Sequence, residues 1–367
     1  MTLLLILSQA LLYFCFALLL GAFIVQAIPE DYKPTVHIKR KWLVISAMAI
    51  PLLTFMPILQ VVLILQPHFG FFTSLANVLV SYKIGFSWDI TVLLSVVLMI
   101  YLKVFNKRLS LGLSIFGALQ VLLVIAAVAW ASHASSTEPL LGFIFDFIHF
   151  AAVSVWVGTV FVISWFSVDT KNWTQFLQWF SPTAMTAFGA TALSGIFLTD
   201  ILVPDYITGW STDYGQGLLI KHLLLVPLVF YVLINGLLIK LKLSKPGFNP
   251  IRWARLESIL LLAIFGVTAI FSQQEPPIEF LTEETVSSLF QFVYTAPLEL
   301  GMTGHLQMNW FGLLFFVLTA VFIVLLLVSF FKNAPVMIPM LMGAAIVICV
   351  YFALMSIVVF NFIGYCL

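Results

Sequence analysis

Charge is what this 367-residue chain most lacks. Only 8% of its residues are Asp, Glu, Lys or Arg, where a soluble domain carries about 25%. Hydrophobic residues make up 62% and the mean hydropathy is +1.14. This excludes a water-soluble globule and implies a polytopic membrane protein. The net charge of +1 and the confinement of basic residues to short loops give no footing for a nucleic-acid partner; the surrounding partner is membrane lipid. Cysteine is scarce as well. Cys15, Cys349 and Cys366 show no CxxC spacing, so no disulfide framework is implied, and Cys15 and Cys349 read as small buried hydrophobes. No Walker loop, GxSxG, HExxH or dinucleotide fingerprint is present, and nothing points to ATP-driven pumping or another enzyme activity.

What is present is a series of apolar runs of spanning length, near 3–28, 42–66, 88–104, 110–131, 141–167, 181–203, 217–240, 255–272, 309–331 and 336–360. The expected fold is therefore all-α, a polytopic transmembrane bundle of about ten helices. The first run is too long for a signal-peptide core and has no basic flank, so it reads as a retained helix. Lys33, Lys39, Arg40 and Lys41, then Lys103, Lys107 and Arg108, Lys171, Lys240 to Arg255, and Lys332 all fall in odd-to-even connections. The positive-inside rule then places both termini outside; Lys83 is the main exception. The long outer connection from 272 to 309 carries Glu275, Glu279, Glu283, Glu284 and Glu299 without a basic residue, which concentrates cations near it. Within it, residues 280–292 read as a short amphipathic surface helix. The expected organisation is residues 1–110 as helices one to three, 111–275 as a core of helices four to eight, and 276–367 as the acidic loop with two further helices.

Ionisable residues at membrane depth cost on the order of 2–3 kcal/mol each, and they mark functional sites. Asp146 and His149 lie three apart on one helical face, with Trp156 a heptad further on. At about 1.5 Å per residue, His133, Asp146, His149, Asp200, Lys221 and His222 all fall in the outer half of the membrane. Neutral imidazoles ligate copper, zinc or haem iron, and a neighbouring carboxylate orients them; Asp146, Asp200 and Lys221 are candidates for such support or for a proton relay. Met302, His305 and Met308 recur every three residues, the spacing of one side of a helical turn. Thioether with imidazole suits Cu(I).

From Leu111 to Gln274 the chain resembles the CopD family of bacterial copper-resistance and copper-uptake proteins. The matching pieces are Ser132-His133-Ala134, Asp146-xx-His149-x6-Trp156-x-Gly158, Phe180-Ser181-Pro182, Gly195, Tyr214-Gly215-Gln216-Gly217 with Leu218 to Lys221, and Arg255-Leu256-Glu257. Thr159 stands where the family has a second glycine, and Gln216 where it has a basic residue. The resemblance implies a multi-pass protein of the bacterial plasma membrane that imports copper, working with a CopC-like extracytoplasmic copper-binding protein. His149 and His133 are then the metal contacts, and Trp156, Gly158, Tyr214 and Gly215 are structural. Two other readings stay open: a membrane protein holding haem b between His149 and His222, for electron transfer or cupric reduction, and a copper-delivery factor for cuproenzyme assembly.

Overall fold

The computed structural model describes residues 2–105, 110–277, 286–299 and 301–362. In chain order its elements are α1 (Thr2–Ala27), α2 (Arg40–Phe69), α3 (Phe71–Ser81), α4 (Lys83–Val104), α5 (Leu111–Trp130), α6 (His133–Thr137), α7 (Pro139–Phe166), α8 (Trp173–Leu202), α9 (Tyr206–Gly209), α10 (Asp213–Gly236), α11 (Ile251–Phe271), α12 (Ser288–Val293), β1 (Met302–Leu306), α13 (Trp310–Phe331), α14 (Met337–Ile357) and β2 (Val358–Phe362). Among the described residues ten helices, α1, α2, α4, α5, α7, α8, α10, α11, α13 and α14, are long and apolar enough to cross a bilayer. Each coincides with one of the ten apolar runs. The protein is a multi-pass membrane protein, and helices are what hydrocarbon demands, because each backbone group must find its partner within its own segment.

Two elements differ from the expectation. Gly70 takes a positive φ of 76°, ending α2 and letting the chain turn into α3, which packs on α2 and α4. The last apolar run stops being helical at Ile357. Val358, Val359 and Phe360 instead form a strand that pairs antiparallel with β1, Met302 opposite Phe362 and Leu306 opposite Val358. β-Branched and aromatic residues suit that pleated ladder.

The chain divides into two compact units, Met1–Ile201 with Leu243–Ser258, and Leu202–Lys242 with Ile259–Leu367. In the first unit α1 is the hub, with α2, α5 and α7 packed around it. Phe16, Leu19 and Phe23 are buried along it. It crosses α7 backbone to backbone, since a Cβ on Gly158 would stand 2.0 Å from the Ala17 carbonyl oxygen and one on Gly21 would stand 2.1 Å from the Gly158 carbonyl carbon. In the second unit α13 and α14 pair and pack against α10. Trp210, Leu219, Leu223, Phe290, Met355, Val358 and Phe360 form a core that binds α9, α12 and β2 to α10 and α14. Part of the expected 280–292 helix lies outside the described residues, as do Glu279, Glu283 and Glu284. The remainder forms α12, whose Phe290 is buried in that core while Phe292 is exposed.

The basic residues of the short connections also cap helices. Lys33 Nζ donates to the Val25 carbonyl at 2.5 Å, Arg40 Nε to that of Leu102, and Arg255 Nε to that of Ser164 at 2.9 Å. In the second unit Lys242 Nζ donates to the Phe330 carbonyl at 2.5 Å and to Asn333 Oδ1 at 2.6 Å. Each places positive charge on a carbonyl in the last turn of a helix. Lys83, the exception to the charge pattern, donates to the Ser135 carbonyl at 2.9 Å and to Ser135 Oγ at 2.6 Å, fixing α6 to the start of α4.

One connection is clasped by a carboxylate. Asp169 accepts from Thr35 N at 3.1 Å, Thr35 Oγ1 at 2.8 Å and Lys171 N at 3.1 Å. Desolvation opposes its charge, but these bonds and the nearby Lys171 ammonium outweigh it and hold the carboxyl below its ordinary value of 3.8. A group whose folded pKa is depressed stabilises above its unfolded pKa, and that stability is lost as pH falls through the folded value. The clasp between residues 35–37 and 166–169 should therefore hold at neutral pH and open in acid. Hydrogen exchange at the Val168 amide, which donates to the Thr35 carbonyl at 2.9 Å, should rise as pH drops below about 3.8 more than intrinsic exchange explains. In Asp169→Asn that extra rise should vanish; its persistence would contradict the assignment.

Candidate functional site

His149 lies on α7 and its ring is seated by α8, both within the first unit. Nδ1 is 3.0 Å from the Thr191 carbonyl oxygen and 3.2 Å from Ser194 Oγ. A carbonyl oxygen can only accept, so Nδ1 carries the proton and donates to it. Ser194 Oγ spends its own proton on the Ala190 carbonyl at 2.6 Å, which leaves its lone pairs for the same Nδ1–H. In the neutral imidazole Nε2 is then the nitrogen with the lone pair. This is the tautomer and second-partner arrangement of a metal-ligating histidine. Gly195 makes room for the ring: a Cβ there would be 3.3 Å from Cε1. One turn before His149, Phe145 stacks on Phe197 at 4.3 Å and 6°, pinning α7 to α8. Asp146 is half-buried on the same helix.

Past His149 the two helices part around a cleft of about 490 Å³, lined by Ala152 and Val155 of α7 and by Pro182, Thr183, Thr186 and Ala190, among others, of α8. Trp156 is buried and lies edge-on to Phe188 at 5.6 Å. Its Nε1–H donates to Glu257 Oε1 at 3.1 Å. Thr159, buried in α7, turns its hydroxyl back to the Val155 carbonyl at 2.7 Å, so its extra bulk is absorbed within the helix.

The other expected site residues are placed differently. His133 on α6 and Asp200 near the end of α8 are exposed. In the second unit His222 Nδ1 pairs with the Tyr206 hydroxyl at 2.6 Å. Burial pushes the Tyr206 phenol up to about 12, so it stays protonated at physiological pH. Lys221 lies over the Phe271 ring at 5.8 Å. Tyr214 meets the same ring edge-on at 5.1 Å, and a Cβ on Gly215 would strike the Gly209 carbonyl; both are packing positions. Gln216 donates through Nε2 to the Trp210 carbonyl at 2.5 Å and accepts from the Tyr351 hydroxyl at 2.7 Å. An amide can do both, where a basic side chain could only donate.

Met302, His305 and Met308 do not share a face. Met302 and His305 lie on β1, where side chains alternate every residue, so positions three apart point to opposite faces. Met308 follows the strand and is 66% exposed. The helical spacing of the triplet is overridden by pairing with β2. Among the described residues no three or more His, Cys, Asp or Glu side chains stand together as a ready metal site. Sharing a depth, as the six polar residues do on the sequence reading, is thus not the same as converging. Arg255 and Glu257 engage α7 through the Ser164 carbonyl and Trp156. The seat of His149, Thr191 with Ser194, is not distinguished in the sequence from other hydroxyl residues of apolar helices.

Residues 174–271 match the family described as CopD, copper resistance protein D. The chain is 29% identical over 165 residues to the copper transport protein CutJ of Bacillus subtilis (strain 168), a match covering 42% of this chain and 30% of that protein. The chain thus aligns with about a third of its curated relative's length. No solved structure matches it. The family match runs from α8 to α11 and contains Thr191, Ser194, Gly195 and Glu257, while His149 lies before it. The segment 174–271, which seats the His149 ring and supplies the carboxylate bound by Trp156, is the part of the chain that matches the copper resistance protein D family.

Proposed function

We propose that the protein carries copper inward across the bacterial plasma membrane, with His149 of the first unit as its principal coordinating residue. The observation that carries this reading is the His149 ring itself. Its Nδ1–H is committed to the Thr191 carbonyl and Ser194 Oγ, so the neutral ring presents Nε2 as a donor of intermediate softness suited to copper. The family of residues 174–271 supports copper as cargo. Both termini lie outside in this reading, which puts Asp146 and His149 in the outer half of the bilayer. The acidic connection after α11 gathers cations at that side, and a CopC-like protein is the donor there. Transport, not catalysis, is the activity.

The test is reconstitution. Proteoliposomes containing the purified chain should accumulate copper above protein-free vesicles, and the preparation should be colourless in the Soret region. Absence of uptake would refute the proposal. A Soret band would instead support haem b ligation.

A further inference from the structure

The cations of the first unit are unevenly engaged. Lys33 and Arg255 are taken up by helix carbonyls, and Lys83 by Ser135. Lys39, Lys41 and Lys103 are exposed and, among the described residues, have no carboxylate partner. Arg40 brings them together. It stands between Lys39 and Lys41 at the start of α2, and its Nε donates to the carbonyl of Leu102, the neighbour of Lys103 in the last turn of α4. Helices α2 and α4 pack on each other, so these cations share one junction at one membrane face. The nearby carboxylates are placed elsewhere. Glu30 and Asp31 lie in the preceding 3-10 turn, with Glu30 3.6 Å from Lys33, and Asp169 is held by Thr35 and the Lys171 amide. Apolar surface continues from the charges. On α2, Ile45, Met48 and Leu52 follow Lys41 at helical spacing, all exposed. On α4, Ile100 and Val96 precede Lys103 at the same spacing and are exposed as well. Positions so spaced share a helix face. The Lys41 ammonium lies 5.0 Å from the ring centroid of Trp42, itself exposed, and such amphipathic rings are enriched at membrane–water interfaces.

We infer that the α2–α4 junction is a binding site for an anionic phospholipid: Lys39, Lys41 and Lys103 receive the headgroup phosphate, and the acyl chains lie along the exposed apolar stripes beside them. The inference goes beyond copper transport and does not depend on it. Two chemistries side by side set the ligand class. Ammonium groups without a carboxylate partner attract a phosphate, and basic pockets between membrane helices take anionic headgroups in this way. A free phosphate gains nothing from the apolar stripes, whereas a lipid engages both. A zwitterionic lipid brings an ammonium of its own, which the three lysines repel. A lipid held by Lys41 and Lys103 also ties α2 to α4 at the end where Arg40 already joins them.

The test titrates the full chain, in non-ionic detergent, with phosphatidylglycerol and with phosphatidylcholine of the same acyl chains, and counts bound lipid by native mass spectrometry. Phosphatidylglycerol should bind about tenfold tighter or more, and the combined variant Lys39→Gln, Lys41→Gln, Lys103→Gln should lose that preference at about fivefold per lysine removed. The matching Lys→Arg variant keeps the charges and should keep the preference. Lys245→Gln with Lys332→Gln, which removes exposed charge from other connections, should leave it within about twofold. Equal binding of the two lipids overturns the inference. So does an equal loss per charge in the Lys245 and Lys332 variant, which would show diffuse attraction without a site. Displacement of phosphatidylglycerol by an equal concentration of inorganic phosphate also overturns it, since the site would then read the anion alone. If the combined glutamine variant fails to fold, Lys41→Gln and Lys103→Gln decide singly: a loss of about fivefold in each supports the site, and no loss in either overturns it.

Discussion

Replacing His149 with alanine should lower copper uptake by at least the 10- to 100-fold, roughly, that follows loss of a ligand's orienting partner, with membrane abundance unchanged. The fold has little stake in this ring. It is half-buried, and its removal frees one carbonyl and one hydroxyl oxygen of α8, each of which already serves another bond: Ser194 Oγ donates to Ala190, and the Thr191 carbonyl, inside α8, accepts the helical i+4 amide. Losing one net hydrogen bond is worth about 1 kcal/mol, too little to unfold a bundle of this size. Function has a large stake, because nothing else among the described residues combines a membrane-depth imidazole with a fixed Nδ1 proton. Gly195→Val should act in the same direction by crowding Cε1, since its first carbon alone would already stand 3.3 Å from that atom. Uptake by His149→Ala equal to the parent, at equal abundance, would sink the assignment.

Gly158→Ala should produce the largest loss of stability. Added core volume typically costs about 1–3 kcal/mol when side chains can yield. Here the new Cβ meets backbone: the Ala17 carbonyl oxygen at 2.0 Å and Gly21 N at 2.9 Å. Neither can rotate away, so α1 and α7 must separate along their whole crossing. Because α1 is the hub of the first unit, that separation also loosens α2 and α5. Thermal unfolding in detergent, followed by helical circular dichroism, should show a lower midpoint and poorer recovery for Gly158→Ala and Gly21→Ala. Gly189→Ala and Gly266→Ala, where the added carbon meets nothing within 4 Å, should behave like the parent. A Gly158→Ala midpoint matching those two controls would show that the crossing is looser than described.

How far the sequence foretells this architecture depends on what each signal measures. Hydropathy measures the medium, and all ten spanning helices follow from it, including α4, the shortest run. The basic residues of the short connections stand out in the sequence by their charge alone; that they cap helix carbonyls required the fold. Gly158 was legible as a packing residue, though its partner Gly21 was not, because a crossing involves two helices distant in sequence. β1 and β2 were hidden for the same reason. Each looks like the frayed end of an apolar segment until its mate, more than fifty residues away, is known. That hidden pairing dissolves the Met302, His305 and Met308 group, whose apparent order was helical spacing imposed on a strand. Asp146 and His149 stood out because charge in hydrocarbon is costly. The partners that set the His149 tautomer, a backbone carbonyl and a common serine, carry no such mark. Glu257 was visible as an acidic residue, but its burial against Trp156 required the fold.

The central claim is that copper is held by His149 through Nε2. Copper K-edge X-ray absorption on the copper-loaded protein tests it directly. The parent should show the multiple-scattering signature of imidazole coordination, and His149→Ala should lose it together with most of its bound copper. An unchanged imidazole signature and copper content in His149→Ala would place the metal elsewhere and contradict the account.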